Sequence, residues 1–264
     1  MISVSHLTAL DTPPEAFIDA AAAAGFGGVG LRIAPPSHAP EQWPVVGDMQ
    51  RIRALRRRAK DAGICVFEAE SFGIAADFSI DASRPALEAA AEIGASYVVA
   101  GGFDENEDRM VNSYRLLAEA AGNLALTVVI EFISFRPLRT LDDAVRVQQR
   151  VDHPALKLLV DMLHLDRTGG TAARVAALDP DALGYIHICD APATRPAPDG
   201  LATEARTGRF YPGDGGLPLR DILAVLPAEM SFSLEAPDPR FAHLPATERL
   251  AIAGEKTLGF LGRR

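Results

Sequence analysis

Residues 156–170 read LKLLVDMLHLDRTGG, an apolar run that stops at Asp161 and is followed three residues later by His164. A run such as Leu158-Leu159-Val160 suits a strand buried on both faces, which a parallel sheet covered by helices requires. Asp161 then stands at the carboxyl end of that strand, where loops gather side chains for chemistry in α/β sheets and barrels. Three more stretches share this grammar: LTVVIEF delivers Glu131, GYIHICD delivers His187 and MSFSLEA delivers Glu235. Four strand ends therefore offer Glu, Asp, His and Glu.

The remainder of the chain alternates in the same way. Strands are expected at residues 2–7, 29–33, 64–70 and 96–100, ahead of the four above. Helices are expected after Thr12-Pro13-Pro14 up to residue 24, up to Ala62 before Gly63, from Ser83-Arg84-Pro85 to Gly94, and at 106–121, 141–150, 171–178, 218–226 and 247–261. Thr and Pro suit helix starts, and Gly suits helix ends. Eight strands alternating with eight helices predict an α/β fold, a (β/α)8 TIM barrel forming a single domain over residues 1–264, with a doubly wound sheet as the alternative. The length of 264 residues agrees with the roughly 250 typical of such barrels. The rhythm breaks at residues 191–216, dense in Pro, Gly and Arg, a long loop of the kind that serves as a lid or binding loop.

Composition excludes several classes of function. A formal net charge of -9 and a pI near 5.2 disfavour nucleic acid and anionic membrane as partners, because both attract cationic surface. The basic run RIRALRRRAK at 51–60 reads as a solvated helix face. No segment reaches the roughly 18 apolar residues that span a bilayer, and MISVSHLTAL lacks a basic leader, so a cytoplasmic protein is expected. Cys65 and Cys189 make no CxxC pair, in keeping with a reducing compartment. There is no G-x-S-x-G or P-loop pattern, and the glycine pairs Gly27-Gly28 and Gly101-Gly102 read as turns and not as phosphate cradles.

On adjacent barrel strands, Glu131, Asp161, His187 and Glu235 converge above the core. Three carboxylates there repel one another and are costly to bury, and a divalent cation resolves both problems. A structural ion pair or helix cap explains one acidic strand end better than it explains four. The oxygen-rich set suits one hard or borderline ion, Mn2+ first, with Mg2+, Co2+ or Zn2+ as alternatives. On the third strand Glu68 and Glu70 alternate with Phe67 and Ala69, and Glu70, nearest the end, is the choice to face the site. His6, Arg32, Glu70, His164 and Arg206 are the candidate substrate contacts. Arg32, Arg136, Arg206 and Arg209 together tilt the reading toward an anionic or acidic-sugar substrate. Trp43 and Phe72 are candidate pocket walls, and Cys189 reads as a small core residue with no base to activate it.

These residues resemble the xylose isomerase-like barrel superfamily, in its small sugar isomerase and epimerase branch, over essentially the whole chain. Glu131 matches that branch's Glu, Asp161 and His164 its D-x-x-H, His187 the His on the next strand, and Glu235 the final-strand Glu. GRFYPGDGGL at 208–217 resembles the family's PGEG turn with Asp214 in place of Glu, while Glu204 and Arg206 resemble its substrate-facing or lid positions. The resemblance implies a divalent-metal-dependent isomerase or epimerase of a sugar or sugar acid. In it Glu131 and Glu235, both metal ligands, would also be catalytic, one removing the proton alpha to a carbonyl and the other returning it through an enediolate. The alternative is a metal-dependent dehydratase of an inosose or 3-dehydroshikimate-like keto acid, and the rival of another class is a non-catalytic barrel that binds a sugar or acid. An abasic-site endonuclease shares the superfamily but needs a His-rich multi-metal site and a basic surface. A small polyhydroxylated or acidic sugar-like substrate is the expected partner, and a homo-oligomer is left open.

Overall fold

Runs rich in Val, Ile and Leu become eight parallel strands that hydrogen-bond in sequence order and close, with β1 beside β8. The computed structural model describes residues 1–33 and 43–262. Residues 34–42, most of the Pro-rich loop after the second strand, and the last two residues lie outside the described residues. In chain order the elements are β1 (Ile2–Val4), α1 (Pro14–Ala23), β2 (Gly28–Arg32), α2 (Met49–Asp61), β3 (Cys65–Ile74), α3 (Ile80–Ile93) and β4 (Tyr97–Gly102). There follow α4 (Glu107–Gly122), β5 (Thr127–Glu131), α5 (Leu141–Val151), β6 (Leu156–Asp161), α6 (Met162–Arg167) and α7 (Ala172–Ala176). The chain closes with β7 (Leu183–Ile188), α8 (Leu201–Thr207), α9 (Leu219–Leu223), β8 (Phe232–Leu234) and α10 (Ala246–Phe260). The expected (β/α)8 barrel is therefore the fold, and the doubly wound alternative falls because β1 pairs with β8.

Several boundaries differ from the sequence reading, each for a local reason. Ser79 caps α3 by accepting from the Ala82 N–H, so Ser83-Arg84-Pro85 lies inside the helix and does not open it. β3 continues past Glu70 to Ile74 because it stays paired with β4 through Gly102. The D-x-x-H stretch is itself a helix start: Asp161 accepts from the His164 N–H at 2.9 Å and begins α6 at once. The expected helices at 171–178 and 218–226 shorten to α7 and α9, and the loop at 191–216 contains α8.

Alternation along the strands sorts the side chains into two cores. The outer one lies between sheet and helices, with Ile18, Leu55, Leu87 and Leu117 fully covered. The inner one fills the barrel with Phe67, Val99, Val129, Leu159 and Tyr185, so the barrel is a packed plug and not a pore. Phe67, Tyr97 and Tyr185 pack their rings at centroid distances of 4.9–5.1 Å. Burying Val129 or Leu159 this way contributes roughly 1.5–3 kcal/mol each. The plug also forms the floor on which polar residues stand at the carboxyl ends of the strands. No helix among the described residues is long and apolar enough to cross a membrane.

Candidate metal centre

Period-two geometry carries the inward face of each strand from the plug to its carboxyl end. Leu159 and Asp161 share one face of β6, and Tyr185 and His187 share one face of β7. Glu131 ends β5, and Glu235 follows the last residue of β8. One candidate ligand atom from each of Glu131, Asp161, His187 and Glu235 lies within 4.8 Å of the others. The His187 Nδ1 is buried without a hydrogen-bond partner. It sits 3.5 Å from Glu235 Oε2, 3.8 Å from Asp161 Oδ2 and 3.9 Å from Glu131 Oε1. A cation with bonds of about 2.1 Å holds neighbouring ligand atoms about 3.0–3.4 Å apart, and the 3.5–3.9 Å spacings from His187 Nδ1 lie just above that range. An orphaned imidazole nitrogen facing three carboxylates fits a divalent metal.

The acids of this ring differ in their proton affinity. Burial, followed by repulsion from Glu235, pushes Glu131 up to about 8. Burial would also raise Asp161, but the Arg209 guanidinium outweighs it and holds this carboxyl well below the usual range. Arg209 is itself fully covered, donating from Nη1 to Asp161 Oδ2 at 2.6 Å and lying 2.9 Å from Glu235 Oε2 through Nη2. Burial would lower the His187 pKa, yet Glu235 and Glu68 hold it well above the ordinary value.

The PGDG turn delivers Arg209. The buried Asp190 carboxylate accepts from the N–H groups of Ala191, Gly213 and Leu217 at 2.9–3.0 Å, and the Asp190 and Phe210 backbones exchange two hydrogen bonds. A Cβ at Gly215 would lie 2.3 Å from the Ala191 carbonyl oxygen, so this turn closes only with glycine there. Asp214, which stands where the family carries Glu, pairs outward with Arg240 and Lys256. Glu204 points away from the site and receives a two-pronged bond from Arg167, tying α8 to α6. The 191–216 segment thereby covers the site of its own chain, with Ala205, Arg206 and Arg209 lining the cavity.

That cavity, of about 110 Å³, opens beside the ring and is bounded by Glu131 and Glu235 together with Arg32, Glu70, Arg136 and His164. Four of the five expected substrate contacts, Arg32, Glu70, His164 and Arg206, line it. Glu70 keeps one oxygen on the His6 N–H at 3.0 Å, while its Oε2 has no hydrogen-bond partner and lies 3.5 Å from Arg32. Burial pushes Glu70 up to about 7. His164 is buried with Nδ1 3.1 Å from Ser134 Oγ, and burial lowers its pKa to about 4, so it is a neutral ring.

His6 corrects the sequence reading. Its Nε2–H donates to the Thr12 carbonyl at 2.9 Å and its Nδ1 accepts from the Arg32 N–H at 3.3 Å, which leaves no ring nitrogen for a substrate. It supports β2 from behind the site. Trp43 and Phe72 also lie away from the cavity, where Phe103 and Phe135 form the aromatic wall instead. Cys189 is buried, and burial pushes its thiol up to about 12, in accord with an inert core residue. Sequence reasoning missed Glu68, which is fully buried and bonded to His187, although strand alternation already puts it on the same face as Glu70. It also named Arg209 only as one arginine among four, since no local pattern shows that this side chain reaches two ring carboxylates.

Comparison with known proteins adds to this geometry. A 3-dehydroshikimate dehydratase of Pseudomonas putida strain KT2440 is 28% identical over 160 residues, covering 59% of this chain, and the match spans about a quarter, 25%, of that relative's length. The zinc-containing structure of the IolI protein superposes with a TM-score of 0.78 at 15% identity, covering 99% of this chain and 98% of the other. A D-psicose 3-epimerase structure superposes with a TM-score of 0.70 at 15% identity, covering 99% and 96%. At such identities the structural likenesses bear on the fold alone. A family model described as a xylose isomerase-like TIM barrel matches residues 18–256, which include the whole ring of Glu131, Asp161, His187 and Glu235 and the turn that carries Arg209, and the chain belongs to that family.

Proposed function

We propose that this chain is a divalent-metal-dependent enzyme that enolises a small hydroxylated keto acid and expels a hydroxyl beta to the carbonyl as water. The observation that carries the reading is the orphaned His187 Nδ1 facing three carboxylates beside a cavity that two of them, Glu131 and Glu235, also line. Glu131, Asp161, His187 and Glu235 would hold the ion, with Mn2+ first and Zn2+ next for this donor set. Bound there, a divalent cation would polarise the substrate carbonyl and offset charge that develops on its oxygen.

The chain's own residues divide the remaining work. Asp161, pinned by Arg209, stays ionised and anchors the ring. Glu131, the ring carboxylate with raised proton affinity, is suited to take the alpha proton, and Glu235, the second carboxylate at the cavity, stands where it can pass one proton to the departing beta hydroxyl, so that the proton removed and the hydroxyl lost balance as water. Neutral His164 has Nδ1 engaged by Ser134 and can hydrogen-bond a substrate oxygen through Nε2. Arg136 and Arg206 line the cavity around Phe135, which suits a carboxylate on the substrate. Phe103, Phe135 and the covering 191–216 segment wall the cavity beside the acids.

Two observations favour dehydration: the similarity to a 3-dehydroshikimate dehydratase and the arginines at the cavity. The second reading is isomerisation or epimerisation, favoured by the pair of glutamates at the cavity, one able to remove a proton and the other to return it. Both share the first step. Incubating Mn2+-loaded and chelator-stripped protein with 3-dehydroshikimate, inososes and ketoses in deuterated water, followed by mass spectrometry, separates them. Metal-dependent loss of water supports the dehydratase, whereas deuterium gain with isomeric products and no mass loss supports the isomerase. Loaded protein that changes none of these compounds tells against both.

A further inference from the structure

Glu68 stands one step below the ring of four on the inner face of β3 and does not line the cavity. Three groups converge on its carboxylate. Ser233 Oγ donates to Oε1 at 2.6 Å, the Tyr185 hydroxyl donates to Oε2, and His187 Nε2 lies 3.0 Å from that same Oε2. A carboxylate that already receives two hydroxyl hydrogens acts as an acceptor. The hydrogen opposite it must therefore sit on the His187 Nε2, so that a cation displacing the other ring proton meets the lone pair at Nδ1. Nδ1 is the orphaned atom that faces Glu131, Asp161 and Glu235. Space for the arrangement comes from β2, where a Cβ at Gly30 would lie 2.6 Å from the Glu68 carboxylate.

The geometry points to Glu68 as the positioning residue of the metal centre: its hydrogen bond to Nε2 makes His187 an Nδ1 ligand, fixes the ring toward the ion and raises the ring's basicity. The inference rests on the metal reading and extends it to a residue that touches neither ion nor substrate. Outer carboxylates of this kind typically contribute 10–100-fold to metal affinity. The remaining oxygen and the neighbouring donors keep Glu68 in place, with Tyr185 packed edge-on against the His187 ring at 5.4 Å between centroids.

The test uses the metal alone, on the full chain. Titration calorimetry of Mn2+ and Zn2+ should give wild type tightest, E68Q about tenfold weaker and E68A about a hundredfold weaker. E68Q keeps the volume and remains informative should E68A fail to fold. In Zn2+-loaded protein with 15N-labelled histidine, His187 should carry its proton on Nε2, with a resonance displaced downfield that moves upfield in E68Q. Two results overturn the role: E68Q binding both ions within twofold of wild type, or His187 carrying its proton on Nδ1 when the metal is bound. A wild-type chain that binds neither ion overturns the metal reading itself, which is a separate outcome. A purely packing role for Glu68 would lower thermal stability equally with and without metal and leave affinity unchanged.

Discussion

The two halves of the barrel carry the same residue types at their strand ends and use them differently. On β5 to β8, Glu131, Asp161, His187 and Glu235 point candidate ligand atoms at one another. On β1 to β4, His6, Glu68 and Glu70 also stand on the inner side near the site, but their polar atoms are largely taken. His6 spends both ring nitrogens on backbone groups, and Glu68 spends both oxygens on Ser233, Tyr185 and His187. Glu70 keeps a single open oxygen. Asp161 and Glu235 also give both oxygens to donors, the first to the His164 N–H and Arg209 and the second to Ser5 and Arg209, so what sets the second half apart is the orphaned His187 Nδ1 that three carboxylates face.

The largest effect should come from the half that forms the ring. Replacing Glu131 or Glu235 by Gln should lower turnover by roughly 10²–10⁴-fold, the usual size of general acid–base catalysis, with the circular dichroism spectrum and melting temperature retained. An active Gln variant of either would break the division between the halves, and the deuterium assay above reads it directly. Next comes Arg209→Ala in chelated protein. Asp161 and Glu235 would lose a buried partner, and the expected loss of stability is about 3–5 kcal/mol by urea unfolding. A loss below about 1 kcal/mol would mean that solvent already screens the pair.

Metal should act on the same half in the opposite direction. At a free concentration about a hundredfold above Kd, Mn2+ or Zn2+ should stabilise the fold by about 2.7 kcal/mol. For a chain of this size that is a rise in Tm of roughly 5–11 °C, and Asp161→Asn should abolish it. A rise that survives in the Asn variant would place the ion elsewhere. The smallest effect belongs to the scaffold half and depends on pH. Burial lowers His6 to about 4 from an ordinary 6.5. The unfolded chain thus takes up a proton that the fold refuses between those values, so this stability is present above about pH 6.5 and is lost as pH falls toward 4. Between pH 7 and pH 5 it should amount to roughly 2 kcal/mol. In His6→Gln that part of the pH dependence should vanish, and an unchanged slope would show that the ring is not held neutral.

Much of this was legible along the chain because strand burial leaves a one-dimensional trace. The runs ahead of Glu131, Asp161 and His187 read as strands buried on both faces, and each acid or imidazole stands where the run ends. Helix ends were less legible, since caps depend on single side chains. Ser79 captures the start of α3 four residues before the Ser83-Arg84-Pro85 pattern, and Asp161 starts α6 within what reads as a loop. His6 misled because a histidine at a strand end looks the same in sequence whether its nitrogens meet a substrate or a backbone carbonyl. Trp43 and Phe72 misled as pocket walls because place along the chain says nothing of the direction of a ring, and Phe72 lies within β3, paired with Ala100, and not in a loop.

By itself, the sequence determined the alternation, the closed barrel it predicts and the four strand ends that converge, because each is a consequence of local periodicity and of residue type at the end of a run. The tertiary structure alone decided which polar atoms remain open. Arg209 reaches Asp161 from 48 residues away, and Glu68 reaches His187 from 119 residues away. Such pairings form only after the strands have closed around the plug. Hydrogen bonds between strands far apart in the chain leave no mark on the spacing of residues within either one, and it is those bonds that separate the acids that face the open His187 nitrogen from the acid that bonds its other one.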